Sequence, residues 1–316
     1  MNILITGGSG FIGTRLVKDL LEQNHTVKIF DKNNSSKYPE LVYLGDVRDQ
    51  QALIEASKGI DVIYNLAAEH ADDVSPKFLY NDVNVGGASN VIAAAKINGI
   101  NKIIFTSTVA IYGLDKGTPD ESMAAQPFNE YGVTKYDAEQ LFLEWLNTNK
   151  EHSLTIIRPS VVFGENNRGN VYNLITQIIS GKFLMIGDGK NHKSMSYVGN
   201  ISAFLASLTS TSFGLNIYNF ADKPDLSSNE IVRIVKDEMN IKRNIPSLPY
   251  LIGLIGGYTF DLLALMTGKK FPISSIRIKK FCAETTINTD KLQNSGFKPP
   301  YSLEYGLRAM IKHEFK

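Results

Sequence analysis

The chain has 316 residues, 43% apolar and 21% charged. That is length for about two domains with a sizeable core, and too apolar for a largely disordered chain. Its 33 Lys and Arg nearly cancel its 32 Asp and Glu, so a net charge of +1 gives no electrostatic case for nucleic acid or, beyond a local patch, for an anionic membrane. The single cysteine, Cys282, excludes an internal disulfide framework and a multi-cysteine metal site, and suits a reducing compartment.

Met1-Asn2 runs straight into Ile3-Leu4-Ile5 and then glycines, without the basic and long apolar regions of a secretory leader, so a soluble cytoplasmic protein is the expectation. Short β-rich runs then alternate with helical stretches. Strands are expected at Asn2–Thr6, Thr26–Asp31, Leu41–Leu44, Asp61–Asn65, Lys102–Ser107 and Leu154–Arg158. Helices are expected at Phe11–Gln23, Gln51–Ala56, Val83–Asn98 and Tyr131–Asn149. Such alternation implies parallel strands joined by crossovers, a doubly wound α/β sheet of Rossmann type over residues 1–164.

After Gly164 the rhythm changes. Asn166 to Asn170 and Asp188 to Asn191 are polar and read as loops, and residues 165–316 read as a smaller, irregular substrate-binding domain, with segments near 195–220 returning to the first. The most apolar window, Leu248 to Met266, is interrupted by Pro249, three glycines and Asp261, which makes it a poor spanning helix. With Lys269, Lys270, Arg277, Lys279 and Lys280 it raises a membrane-surface contact through 248–280. Helices packing on the sheet are the favoured reading.

The first motif is Thr6-Gly7-Gly8-Ser9-Gly10-Phe11-Ile12-Gly13, between a strand and an amphipathic helix. Glycines allow a tight turn and close backbone approach to a pyrophosphate, and the helix N-terminus offers free N–H groups to the anion. Asp31 ends the second strand 18 residues after Gly13, near the spacing for an acid that binds a ribose 2′-hydroxyl. Its charge repels a 2′-phosphate and favours NAD over NADP, although Lys32 beside it weakens the preference. Asp46, after the third strand, either accepts from an adenine amino group or caps the next helix.

Tyr131 and Lys135 stand at i and i+4, on one helical face. A tyrosine acid/base needs its pKa, ordinarily about 10, brought toward neutrality, and a nearby ammonium does this. Tyr112 and Lys116 share the spacing, but Tyr112 follows a strand and precedes Gly113, so that pair reads as a loop. The hydroxyls Thr106-Ser107-Thr108 close the preceding strand, on the edge where a parallel sheet holds its ligand. Glu69-His70 follows the fourth strand near the same edge; a satisfied polar role for His70 is favoured over acid/base chemistry.

TGGSGFIG at 6–13, GDVRD at 45–49, NLAA at 65–68, VNVGGASNVIAAA at 83–95, FTSTVAIYG at 105–113, YGVTK at 131–135 and RPSVVFG at 158–164 resemble the extended short-chain dehydrogenase/reductase superfamily, and within it the NAD-dependent epimerase/dehydratase family acting on nucleotide sugars. The resemblance implies Thr108, Tyr131 and Lys135 as the catalytic set. It implies a cofactor site of Gly7, Gly10, Phe11, Ile12, Gly13, Asp31, Lys32, Asp46, Val47, Leu66, Ala67, Ala68, Asn84, Ser107 and Arg158, shared with Tyr131 and Lys135. Glu69, Asn170, Lys193 and Arg277, with Thr108, are implied on the substrate side. It also implies a homodimer through the helix bearing Leu141, Phe142, Trp145 and Leu146, and a part in surface polysaccharide synthesis.

Departures narrow the activity. Val109 and Ala110 stand where dehydratases of the family carry Asp-Glu, which argues against a 4,6-dehydratase. Val161 replaces an asparagine that contacts substrate in many relatives, and Lys193-Ser194-Met195-Ser196 alters the diphosphate clamp. The expectation is an NAD-dependent C4 epimerase of a nucleotide-diphosphate sugar, through a transient 4-keto sugar. The alternatives are a 4-ketosugar reductase or sugar- or sterol-type alcohol dehydrogenase on the same residues, and a non-catalytic dinucleotide-binding protein.

Overall fold

The computed structural model of the chain describes residues 1–71, 74–114, 116–210, 213–268 and 274–316; Lys269 and Lys270 lie outside them. Strands β1 (Asn2–Thr6), β2 (Thr26–Asp31), β3 (Val42–Leu44), β4 (Val62–Asn65), β5 (Lys102–Thr106) and β6 (Ser153–Pro159) alternate with helices α1 (Phe11–Glu22), α2 (Gln50–Ala56), α3 (Phe78–Tyr80), α4 (Gly87–Asn98) and α5 (Glu130–Leu146). Then come β7 (Val161–Phe163), α6 (Asn170–Ser180), β8 (Met185–Ile186), β9 (His192–Tyr197), α7 (Val198–Ser207), β10 (Gly214–Phe220) and β11 (Asp222–Ser227). The chain closes with α8 (Ser228–Glu238), β12 (Ser247–Leu248), α9 (Tyr250–Thr267), α10 (Ser275–Cys282), α11 (Asp290–Asn294) and α12 (Leu303–Phe315).

Seven strands form one parallel sheet in the order β10-β6-β5-β4-β1-β2-β3, the doubly wound arrangement expected. Strand alternation sends Ile3 and Ile5 to one face, against Leu16 and Leu20 of α1 and Phe204 of α7. Leu4 goes to the other, in the layer of Val91 on α4 and Phe142 and Trp145 on α5. Helices cover both faces because the strands are apolar on both. The strand order reverses between β1 and β4, which opens a crevice at the strands' carboxyl ends.

The rest of the chain builds a three-stranded sheet, β11-β9-β7, around a separate core that includes Phe163, Ile175, Tyr197, Ile234 and Leu307. Within it β10 returns to the edge of the large sheet beside β6.

Local chemistry moves several expected boundaries. Pro39 opens a 3₁₀ turn through Leu41, so β3 starts only at Val42. A π-turn at Asn81–Gly86 interrupts the helix expected from Val83. Gly169, not Asn170, ends the polar loop, and Asn170 opens α6.

The largest departure is α9. Its glycines do not break it: Gly253 and Gly257 face inward, where an added Cβ would sit 2.6 Å from Ile186 and 2.8 Å from Ile278 and Ser275. Their lack of a side chain lets α9 lie close on β8 at Gly253 and on α10 at Gly257. The outward face is bare, and does not pack on the sheet as expected. At 18 residues and mean hydropathy 1.4, α9 is long and apolar enough to cross a membrane by length and composition alone. Phe142 and Trp145 are buried in the chain's own core, so they offer no surface to a second copy.

Candidate active site

The glycine loop leaves β1 with Gly7 at φ +72°, and its N–H donates to Phe30 O at 3.0 Å. A Cβ at Gly7 would lie 2.8 Å from Ala67 N, and one at Gly13 would lie 2.5 Å from Gly7 O, so both positions need glycine. Gly10 caps α1 without a side chain, which leaves the first amides of the helix facing the crevice. That crevice is a cleft of about 860 Å³, and Phe11, Ile12 and Gly13 line it.

Each following strand adds its last residues. The Asp31 carboxylate, after β2, accepts from Ser9 N (3.1 Å) and Asn33 N (2.9 Å), which fixes it at the cleft wall. Lys32 pairs with Glu69 at 3.0 Å across the rim of the cleft. Asp46 takes both Arg48 donors (3.0 and 2.7 Å), and that guanidinium holds its carboxyl below the usual range. The helix cap after β3 is Asp49, whose side chain accepts from Ala52 N, so Asp46 is not the cap but part of the cleft wall with Val47. Leu66, Ala67, Ala68, Glu69 and His70 line the cleft beyond β4.

The hydroxyls after β5 and the first turns of α5 form the opposite wall. Asn129 caps α5 by accepting from Gly132 N at 2.9 Å, which brings Tyr131 and Lys135 round to the cleft. Thr108 Oγ1 accepts from Ala110 N at 3.2 Å and stands in the same cleft wall as the Tyr131 phenol. Burial pushes the Tyr131 phenol up to about 12, opposed by the Thr108 hydroxyl, which favours the phenolate. Burial pushes the Lys135 ammonium down to about 7, opposed by Glu139 one turn below. Its Nζ lies 4.2 Å from the centre of the Phe105 ring. Thr106 Oγ1 and Ser107 Oγ are buried at this wall without a partner among the described residues, and both line the cleft. Orphaned hydroxyls beside an uncapped glycine helix and a fixed acid fit a dinucleotide.

Four expected ligands sit elsewhere. Arg158 turns from the cleft into a buried ion pair with Glu139 (2.7 Å) and donates to Tyr112 Oη (2.8 Å). Tyr112 is therefore a buried member of a 3₁₀ turn, not a loop residue, and its hydroxyl donates on to Asn219 (2.7 Å). Asn84 lies behind the cleft. Its amide accepts from Glu69 N and donates to Glu69 O and to Thr134 Oγ1 at 3.0 Å, so it ties the β4 loop to α5. The π-turn gives it that position.

Lys193 donates to Lys280 O (3.2 Å) and Ala283 O (2.9 Å), which anchors the end of α10 without reaching the cleft. Arg277 lies on the exposed side of α10, and Ile276, Lys279 and Lys280 of that helix face the cleft instead. Sequence spacing held no sign of these three, since α10 is remote from every motif. Asn170 and Val161 line the outer wall.

Comparison with known proteins agrees with this geometry. The model of the NAD dependent epimerase/dehydratase family matches residues 3–221, more than half of the chain. The N-acetyl-alpha-D-glucosaminyl-diphospho-ditrans,octacis-undecaprenol 4-epimerase of Escherichia coli O157:H7 is 52% identical over 99% of this chain and 95% of its own. A 2-alkyl-3-oxoalkanoate reductase of Stenotrophomonas maltophilia is 29% identical over 98% of each chain. The solved structure of Thermotoga maritima UDP-glucose 4-epimerase with UDP-glucose has the same fold, with TM-score 0.77 at 20% identity, covering 99% of this chain and 98% of that one. With the glycine loop, the fixed acid and the Thr/Tyr/Lys wall in one cleft, this chain belongs to the NAD-dependent epimerase/dehydratase family.

Proposed function

We propose that this protein inverts C4 of an N-acetylhexosamine carried on a polyprenyl diphosphate, with NAD as its resident cofactor. The observation that carries the reading is Thr108, Tyr131 and Lys135, one turn on from the phenol, meeting in the wall of a glycine-loop cleft. The sugar carrier follows the relative that is 52% identical over nearly the full chain. A nucleotide sugar shares the diphosphate and differs only in what lies beyond it.

Asp31, the amides of Phe11, Ile12 and Gly13, Asp46 and the Ser107 hydroxyl would hold the dinucleotide. Asp31 disfavours a 2′-phosphate, and the Lys32–Glu69 pair supports NAD by partly neutralising the lysine next to it in sequence. When bound, a nicotinamide supplies acceptance of a hydride from C4 and its return to the other ring face. Tyr131 as phenolate removes the C4 hydroxyl proton, and Thr108 holds that oxygen. As an ammonium, Lys135 would stabilise the phenolate one turn away, and Glu139 beneath partly offsets the burial that disfavours that charge. Val109 and Ala110 line the wall next to Thr108 and bring no acid or base to C5 and C6, which supports epimerisation over dehydration.

Incubation with a short-chain polyprenyl diphospho-N-acetylglucosamine, followed by hydrolysis and sugar analysis, should yield N-acetylgalactosamine without added cofactor. Conversion of UDP-N-acetylglucosamine alone would return the reading to a nucleotide sugar. Turnover only with added reduced cofactor would replace it with a reductase.

A further inference from the structure

We propose that the exposed face of α9 is a membrane-docking surface that lies in the plane of an anionic bilayer and holds the mouth of the cleft against it. The inference deepens the proposed function and rests on it for the purpose of docking.

Leu251, Ile255, Tyr258, Leu262 and Leu265 follow one another at helical three- and four-residue steps, and are between 50% and 83% exposed. Ile252 and Met266 widen the stripe. A contiguous apolar face on this scale marks contact with another molecule or a membrane. The opposite face is already occupied along the helix: Gly253 lies on Ile186, Gly257 on Ile278 and Ser275, and Asp261 accepts from Ser275 N at 3.1 Å. The helix, roughly 27 Å long at 1.5 Å per residue, is thus fastened lengthwise to the protein. It can sink one side into a membrane but cannot thread through it.

Charge selects the occupant. The one carboxylate of α9, Asp261, points inward, and α10 beside it carries Arg277, Lys279 and Lys280 and no acid. Lys279 Nζ donates to Tyr258 Oη at 2.9 Å, which places a cation at the border of the apolar stripe. An apolar face edged by ammonium and guanidinium groups matches acyl chains below anionic headgroups. A second copy of this chain fits less well, because two-fold pairing of this face would bring the same cations toward each other.

The position of α10 links docking to the site. Its Ile276, Lys279 and Lys280 line the cleft, so the same short helix borders both the docking face and the substrate cavity. A polyprenyl chain can then stay in the bilayer while its diphosphate meets Lys279 and Lys280 and the sugar reaches Tyr131.

The test is flotation of the full-length protein with vesicles of phosphatidylglycerol and phosphatidylethanolamine, compared with phosphatidylcholine vesicles. The wild type should float with the anionic vesicles, less so in high salt. Ile255→Glu/Leu262→Glu/Leu265→Glu should reduce flotation at least tenfold, while bound NAD and turnover of a water-soluble short-chain diphospho-sugar stay within twofold. Equal flotation of wild type and variant, or none by the wild type, overturns the proposal. A wild-type dimer that does not float and that the three glutamates turn into monomer overturns it in favour of a second copy. Flotation uses no sugar, so a chain that floats but epimerises nothing refutes the proposed function and leaves the docking face standing.

Discussion

Glu139 receives two parallel hydrogen bonds from Arg158, at 3.0 and 2.7 Å, one helical turn below Lys135. The pair is buried, places a carboxylate beneath Lys135 and anchors α5 on β6. Arg158→Met strands the Glu139 carboxylate and should cost about 3–5 kcal/mol in urea unfolding. Arg158→Met/Glu139→Leu should recover most of it. Bound NAD should survive in the double variant, because the guanidinium does not line the cleft. Loss of NAD in a folded double variant would restore Arg158 as a cofactor ligand.

Tyr131→Phe should lower kcat by about 10²–10⁴-fold with bound NAD unchanged, since only the acid/base hydroxyl is removed. In wild type, kcat should rise with pH as the phenolate forms. A phenol pushed up to about 12 needs a nearby positive charge to ionise at working pH. Lys135→Met should therefore move that alkaline rise to higher pH. A pH–rate profile of both proteins decides it.

Lys135 also couples stability to pH. Its ammonium is near 10.5 when unfolded and about 7 in the folded chain. Between those values the unfolded chain binds more protons, so folding stability rises with pH, by at most about 1.4 kcal/mol per pH unit. Cofactor-free wild type should gain about 2 kcal/mol over Lys135→Met between pH 7 and 9, by urea unfolding. Lys102, pushed down to about 8 by burial, contributes to both proteins and cancels in the difference.

Asp31→Asn removes the charge that repels a 2′-phosphate and keeps the acceptor for Ser9 N. The ratio of NADP to NAD affinity should rise about tenfold or more, measured by titration of cofactor-free protein. Glu69 competes for Lys32, so Glu69→Gln combined with Asp31→Asn should raise the ratio further.

The parallel sheet, the glycine loop and the Tyr131/Lys135 step were legible in the sequence because each rests on local rules, whereas the choice of Thr108 came from the family resemblance. Strand alternation, positive φ at Gly7 and a four-residue helical step are written in neighbouring residues. The partners of a side chain across the fold are not. Arg158 and Asn84 carry the residue types of ligands, yet Glu139, Tyr112 and Thr134, brought near only by packing, hold them as struts. The same limit hid the outer wall: Ile276, Lys279 and Lys280 face the cleft because α10 is clamped by α9, with Gly257 as the contact. Composition showed an apolar window with glycines in it. Only the tertiary structure decided that Gly253 and Gly257 turn inward and Leu251, Leu262 and Leu265 outward, because which face of a helix is buried depends on what stands beside it.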